Sequence, residues 1–205
     1  MKPETAIKVL QESIDRIGFR PLASVCSVAI QRQDFRVAAG SAEKHQAYEG
    51  GLAVHTAEVM QLALKFCDAG PLAGKINLDV VIAAIVWHDF GKIWDYEPAL
   101  MTKDPSVARW GYVYTRHRWA IRHLSRSYAE FIHASYQHRE ITADVRDAVG
   151  HAILAHHGPG SDSPVECLTP EALVVHQADN MSARFTEKWD QHIFNHPRKD
   201  WKDRP

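Results

Sequence analysis

Cysteine is scarce in this chain of 205 residues, and the few present form no pattern. Cys26, Cys67 and Cys167 are odd in number and show no C-x-x-C spacing. That argues against a disulfide framework or a zinc ribbon and fits reduced, mostly buried thiols in a cytoplasmic protein. Net charge is scarce as well: 24 Lys and Arg against 25 Asp and Glu leave a formal charge of −1. Composition therefore gives no strong signal for nucleic-acid binding. No apolar run approaches the length of a membrane span, and Met1-Lys2-Pro3-Glu4 passes at once into a polar amphipathic pattern, unlike a signal peptide. Internal repeats and convincing strand pairs are also lacking.

What remains is an ordinary globular composition with 45% hydrophobic and 24% charged residues, enough for one domain with a short appendage. One residue type stands out. There are 13 histidines, and their positions matter more than their number.

The pattern along the chain is helical. Pro3 to Ile17 reads as a helix with the stripe Ile7, Leu10, Ile14 and Ile17, stopped by Gly18. Residues 19–44 are irregular, and the apolar run Leu22 to Ile30 suits a helix or an extended piece. Gly50-Gly51 opens a strong helix carrying Leu52, His55, Val59, Leu62 and Phe66 on one face, ended at Asp68-Ala69-Gly70-Pro71. From Asn77 or Asp79, a helix apolar nearly all round runs to about Phe90, which implies a central buried position. Residues 94–113 read as a loop, with helices again over 115–135, 142–156 and from Thr169-Pro170 through Phe185. The charged end from about His192 reads as loosely ordered. The reading is a compact all-α bundle: residues 1–34 a helix and connector packed on the core, 35–190 the functional domain and 191–205 a charged tail.

Polar, metal-competent side chains recur where the helices are apolar. His88 and Asp89 end the buried helix, and on their own they read first as a helix-end histidine and a carboxylate capping the Gly91 turn. The rest of the chain adds His55 on the apolar face of the preceding helix, His123 in the next long one, and His156-His157 at the end of another. Asp179 lies amid Val174, Val175, Ala178 and Met181. Burying such groups is costly unless they are paired or hold a metal, and helices facing one core are how an α domain builds a metal cage.

The order H…HD…H…HH…D, with the segments His45-Gln-Ala-Tyr-Glu-Gly-Gly-Leu-Ala-Val-His55-Thr56, Trp87-His88-Asp89-Phe90-Gly91-Lys92 and Ile153-Leu154-Ala155-His156-His157-Gly158, resembles the HD superfamily of metal-dependent phosphohydrolases. Ser163-Pro164 and Pro170-Glu171-Ala172 extend the likeness. It is nearest to the branch containing bacterial HD-type 3′→5′ exoribonucleases, and it spans roughly residues 35 to 185. Two departures stand out. Val54 replaces a glutamate often found before the first histidine, and Arg122 replaces a glycine often found before the third. His117, on the same stretch as His123, is a decoy for it.

The resemblance implies His55, His88, Asp89 and Asp179 as one metal site. His123 and His156 imply a second ion, with Asp89 bridging. The ions would be divalent transition metals, Mn²⁺, Fe²⁺, Co²⁺, Ni²⁺ or Zn²⁺, with Mg²⁺ also admitted. Asp89, Lys92 and His157 are the expected catalytic residues. Lys92 and His157 are expected to contact the phosphate, and His45 and Arg36 to face substrate as well. The implied reaction is hydrolysis of a phosphoester in a nucleotide or short oligonucleotide by a metal-activated water. A di-iron oxygenase on the same kind of domain is the alternative. No membrane partner is expected, and an oligomer is compatible with the sequence.

Overall fold

The computed structural model describes residues 1–43, 46–69, 73–102, 109–159 and 163–192, with side chains to residue 185. The expected tail from His192 lies outside the described residues, apart from its first position. Pro3–Ile14 forms α1, with the proline in its first turn, and the chain then turns through Ile17. The undecided stretch resolves into two helices, α2 (Arg20–Gln31) and the short α3 (Gln33–Val37). α2 buries Leu22, Val25, Cys26, Ala29 and Ile30, the spacing of one helical face.

α4 (Gly51–Cys67) and α5 (Leu78–His88) match the sequence reading. The Asn77 side chain caps α5 by accepting from the Val80 amide at 3.3 Å. Asp79 accepts the Gly18 and Phe19 amides at 3.0 and 2.9 Å, tying the α1–α2 turn to the start of α5. Every residue from Val80 to His88 is buried, so α5 is the axis around which α2, α4, α7, α8 and α9 pack. α1 and α2 contribute Ala6, Leu10, Leu22 and Ile30 to the same core as α4 and α5. No helix among the described residues is long and apolar enough to cross a membrane.

Beyond α5 the structure corrects two expectations. After a 3₁₀ turn (Phe90–Trp94), residues 94–113 are not simply a loop: β1 (Tyr96–Leu100) and β2 (Trp110–Tyr114) pair antiparallel, Tyr96 opposite Tyr114 and Leu100 opposite Trp110. Five-residue strands, one containing proline and the other glycine, carry too short an alternation to outweigh those breakers in sequence. The expected helix over 115–135 is also broken, into α6 (Arg116–Ala120) and α7 (Arg122–Ser135). The break falls at Arg122, whose φ of +66° interrupts the helical path. α8 (Ala143–Ala155) and α9 (Pro170–His192) complete the bundle, with Thr169 Oγ1 accepting the Ala172 amide at the start of α9.

Candidate metal centre

Five helices converge on Asp89. His55 comes from the second turn of α4, His88 and Asp89 from the end of α5, His123 from the first turn of α7, His156 and His157 from the end of α8, and Asp179 from α9. His55, His88, Asp89, His123 and His156 are all buried. The ligand-capable atoms fall into two groups sharing one residue: His55, His88, Asp89 and Asp179, and Asp89, His123, His156 and His157.

The two oxygens of Asp89 face different groups. Oδ2 lies 3.2 Å from His55 Nε2 and 3.3 Å from His88 Nε2. Oδ1 lies 3.5 Å from His123 Nε2 and 3.6 Å from His156 Nε2. Asp179 Oδ1 is 3.0 Å from His55 Nε2.

Hydrogen bonds behind the rings set which nitrogen faces inward. A carbonyl can only accept, so His88 Nδ1 donates to Ile85 O (2.7 Å) and His156 Nδ1 donates to Ile153 O (2.6 Å). In the neutral ring each Nε2 then turns a lone pair toward Asp89. His123 Nδ1 lies 3.1 Å from Asp95 Oδ2 and 3.3 Å from Arg118 Nη1. It cannot donate to one and accept from the other, and the fully buried carboxylate, which can only accept, decides for donation. His55 Nδ1 meets Ser182 Oγ at 3.4 Å, and that hydroxyl donates to Glu58 Oε2 at 3.2 Å.

This donor set fits a divalent cation. Asp89 Oδ1 and Oδ2 and His156 Nε2 are buried without a hydrogen bond of acceptable geometry. His55 and His88 bring their Nε2 atoms to 3.5 Å of each other, and His123 and His157 bring theirs to 3.2 Å. Inward-facing lone pairs and a buried carboxylate call for positive charge. The Lys92 ammonium supplies some of it, 2.6 Å from Asp89 Oδ2.

The electrostatics follow. Burial opposes ionisation of Asp89, but the adjacent Lys92 ammonium and the imidazoles of His88, His156 and His55 around it hold it well below the usual carboxylate range. Burial likewise opposes charge on Asp179, and His55 outweighs it, so that carboxyl too is lowered. For His55, burial works against protonation, yet bonds to Asp179 and Asp89 raise it to about 9. Burial and the neighbouring His156 and His123 push His157 down to about 2. Burial also lowers His123, against the pull of Asp95.

Of the other expected site residues, Lys92 reaches Asp89, while His45 lies outside the described residues. Arg36 donates to Ile30 O at 3.0 Å and lines a separate groove of about 570 Å³ with Pro3, Glu4 and Glu49. His176, read as a packed helical histidine, bonds the His156 carbonyl at 2.8 Å and steadies the His156-His157 turn. His117 is not at the cluster but bonds Asp95 at 2.9 Å.

Sequence reasoning missed Asp95, Ser182 and Glu58. Asp95 lay in an assumed loop with no periodic context, and no signal there marks it as buried. Glu58 stands one turn beyond Val54 on α4, the spacing that could have suggested a substitute for the absent glutamate. The motif glycine also gains a physical reason. A Cβ on Gly91 would sit 2.3 Å from the His123 carbonyl oxygen, so only glycine lets α7 approach the 3₁₀ turn.

Comparison with known proteins accords with this geometry. The family model for the HD domain matches residues 52–184. The chain belongs to the HD domain family. The histidines and aspartates of the motif, from His55 to Asp179, all lie within the matched span. Among curated proteins it is similar to the 3′-5′ exoribonuclease YhaM of Bacillus velezensis, 27% identical over 145 residues, covering 70% of this chain and 42% of that protein. The namesake enzyme of Listeria innocua is 28% identical over 155 residues, covering 74% of this chain and 44% of that protein. The chain thus spans less than half the length of these relatives. No solved structure matches.

Proposed function

We propose that this HD domain hydrolyses a phosphoester of a nucleotide or short oligonucleotide at a two-ion centre bridged by Asp89. The observation that carries the reading is the division of the Asp89 carboxylate, Oδ2 toward His55 and His88 and Oδ1 toward His123 and His156. His55, His88, Asp89 and Asp179 would hold one ion, and Asp89, His123, His156 and His157 the other. Two divalent ions so held would supply Lewis-acid activation of water and neutralise charge on phosphoryl oxygens. An all-nitrogen and oxygen set suits Mn²⁺, Fe²⁺, Co²⁺, Ni²⁺, Zn²⁺ or Mg²⁺.

The chain's own residues do the rest. The Ile85 and Ile153 carbonyls and Asp95 orient the imidazoles so that their lone pairs stay inward. Lys92, whose ammonium neutralises Asp89 Oδ2 at 2.6 Å, has the rotatable length to meet a phosphate oxygen were that carboxylate oxygen to hold a cation instead. His157, neutral across the physiological range, can contact the same phosphate or remain a ligand.

The test is metal analysis of the purified chain with turnover of phosphodiesters, nucleoside mono- to triphosphates and short RNA and DNA oligomers in added Mn²⁺. Two ions per chain and metal-dependent turnover are expected, both lost in Asp89→Ala. Turnover of none of these substrates, together with an oxygen-dependent di-iron signal, would establish the oxygenase alternative instead.

A further inference from the structure

One face of the hairpin is unusual for an exposed two-stranded sheet. Antiparallel register puts Tyr96, Pro98, Leu100, Trp110, Tyr112 and Tyr114 on the same side, an uncharged and mainly aromatic surface. Its outer part is open: Trp110 is 69% exposed, Leu100 48% and Tyr114 45%. α6 adds Trp119, 71% exposed, whose ring stands edge-on to Tyr114 at 5.5 Å between centroids. A patch of this composition needs an occupant.

The aromatic surface is continuous with the metal centre. β1 follows directly on the 3₁₀ turn that carries Lys92, and Tyr96, its first residue, faces Tyr114 at 5.8 Å. A track therefore runs from Lys92 through Tyr96 and Tyr114 to Trp119. Arginines border it. Arg118 holds its guanidinium 6.0 Å from the Tyr114 ring centre, and Arg116 and Arg122 are exposed nearby on α6 and at the start of α7. From Arg109 to Ala129 the chain carries Arg109, Arg116, Arg118, Arg122 and Arg126 and no carboxylate side chain. Arg118 is partly balanced by Asp95 at 3.6 Å and Arg126 by Glu130 at 3.3 Å, and the others leave a local excess that near-zero net charge over the whole chain hides. Glu49 lies beside Tyr112, so the charge balance is most favourable at the Tyr114–Trp119 end.

We infer that this hairpin and α6 form a base-stacking platform for single-stranded nucleic acid, leading a strand to the Asp89 centre. Flat rings alternating with arginines match the two chemistries a single strand offers, π faces and phosphates. An aliphatic patch would have favoured a protein partner. The link to the metal centre rests on the phosphoester reading; the platform itself does not.

The experiment is fluorescence anisotropy on the full, metal-loaded chain with a labelled 2′-O-methyl phosphorothioate oligomer of about ten nucleotides, which resists hydrolysis. An abasic oligomer of equal length and a duplex serve as comparisons. Trp119→Ala and Tyr114→Ala should each weaken binding of the base-bearing strand about tenfold, and Trp119→Phe should stay within about threefold of the parent. The abasic strand and the duplex should bind weakly and ignore the substitutions. Should Tyr114→Ala disturb the hairpin, the pair of variants at exposed Trp119 decides alone. Equal affinity for base-bearing and abasic strands, or unchanged binding by Trp119→Ala, would overturn the platform. So would self-association of the chain that Trp110→Ala abolishes. Stacking without turnover of any phosphoester would support the platform while defeating the hydrolase reading.

Discussion

Asp95 offers the sharpest test of the two-group arrangement, because it touches only one group. It is fully buried and accepts from His123 Nδ1 at 3.1 Å through Oδ2 and from His117 Nδ1 at 2.9 Å through Oδ1. In Asp95→Asn the shape is kept, but one oxygen becomes an NH₂ that faces an imidazole N–H. If His123 is the ring that loses its acceptor, it can switch tautomer and move its lone pair away from Asp89. Loss of such a supporting carboxylate typically weakens metal affinity about 10- to 100-fold. That corresponds to about 1.4–2.7 kcal/mol. The weakening should appear only in the ion held with His123, His156 and His157. Competition titration of Mn²⁺ or Zn²⁺ against a chromogenic chelator should then show one binding step displaced and the other unmoved. Thermal melts in chelator report the separate structural cost, since Arg118, 3.6 Å from Oδ2, also loses a counter-charge. Equal weakening of both steps, or weakening of the step held by His55 and His88 alone, would refute the reasoning.

Other expectations follow from the same coordinates. His55, raised to about 9 from an ordinary 6.5, contributes stability to the metal-free protein that is full below about pH 6.5 and lost as pH rises through 9. Cations need that imidazole neutral, so the melting-temperature gain on adding metal should grow between those pH values; a flat or falling gain would be inconsistent with His55 as a ligand. For the same reason, calorimetric metal binding near pH 8 should release protons, seen as an enthalpy that varies with the buffer's ionisation heat. Gly91→Ala forces α7 off the 3₁₀ turn and should cost about 1–3 kcal/mol in denaturant unfolding, and an unchanged midpoint would contradict the close approach. Arg122→Gly should relieve about 1 kcal/mol of backbone strain at φ +66° while weakening oligonucleotide binding, and chemical unfolding with anisotropy reads both.

Legibility in the sequence followed the physics of each element. α4 and α5 were readable because their burial is periodic or total and their ends are marked by Gly50 and Asn77. The convergence of His55, His88, Asp89, His123, His156 and Asp179 was reached through motif order, since spacing alone does not bring distant helices together. The hairpin was not readable: its strands are short, and its aromatic face is exposed, so no core-facing alternation marks it. Asp95 was not readable either, because what buries it is the return of α7 onto the 3₁₀ turn, a long-range event.

Arg122 shows how a local departure can hide a preserved geometry. The resemblance expects glycine there, and this chain has arginine. Yet the backbone adopts the left-handed conformation for which glycine is suited, and His123 is delivered to 3.5 Å from Asp89 Oδ1. The fold tolerates the strain because both flanking segments are fixed. Thr115 caps α6 and bonds the Trp94 and Asp95 backbone, while the Gly91 amide bonds Ser127 on α7. What arginine adds is a positive charge exposed at the junction of α6 and α7. Strain kept at such a point, with a cation gained, is what a substrate-facing position would require.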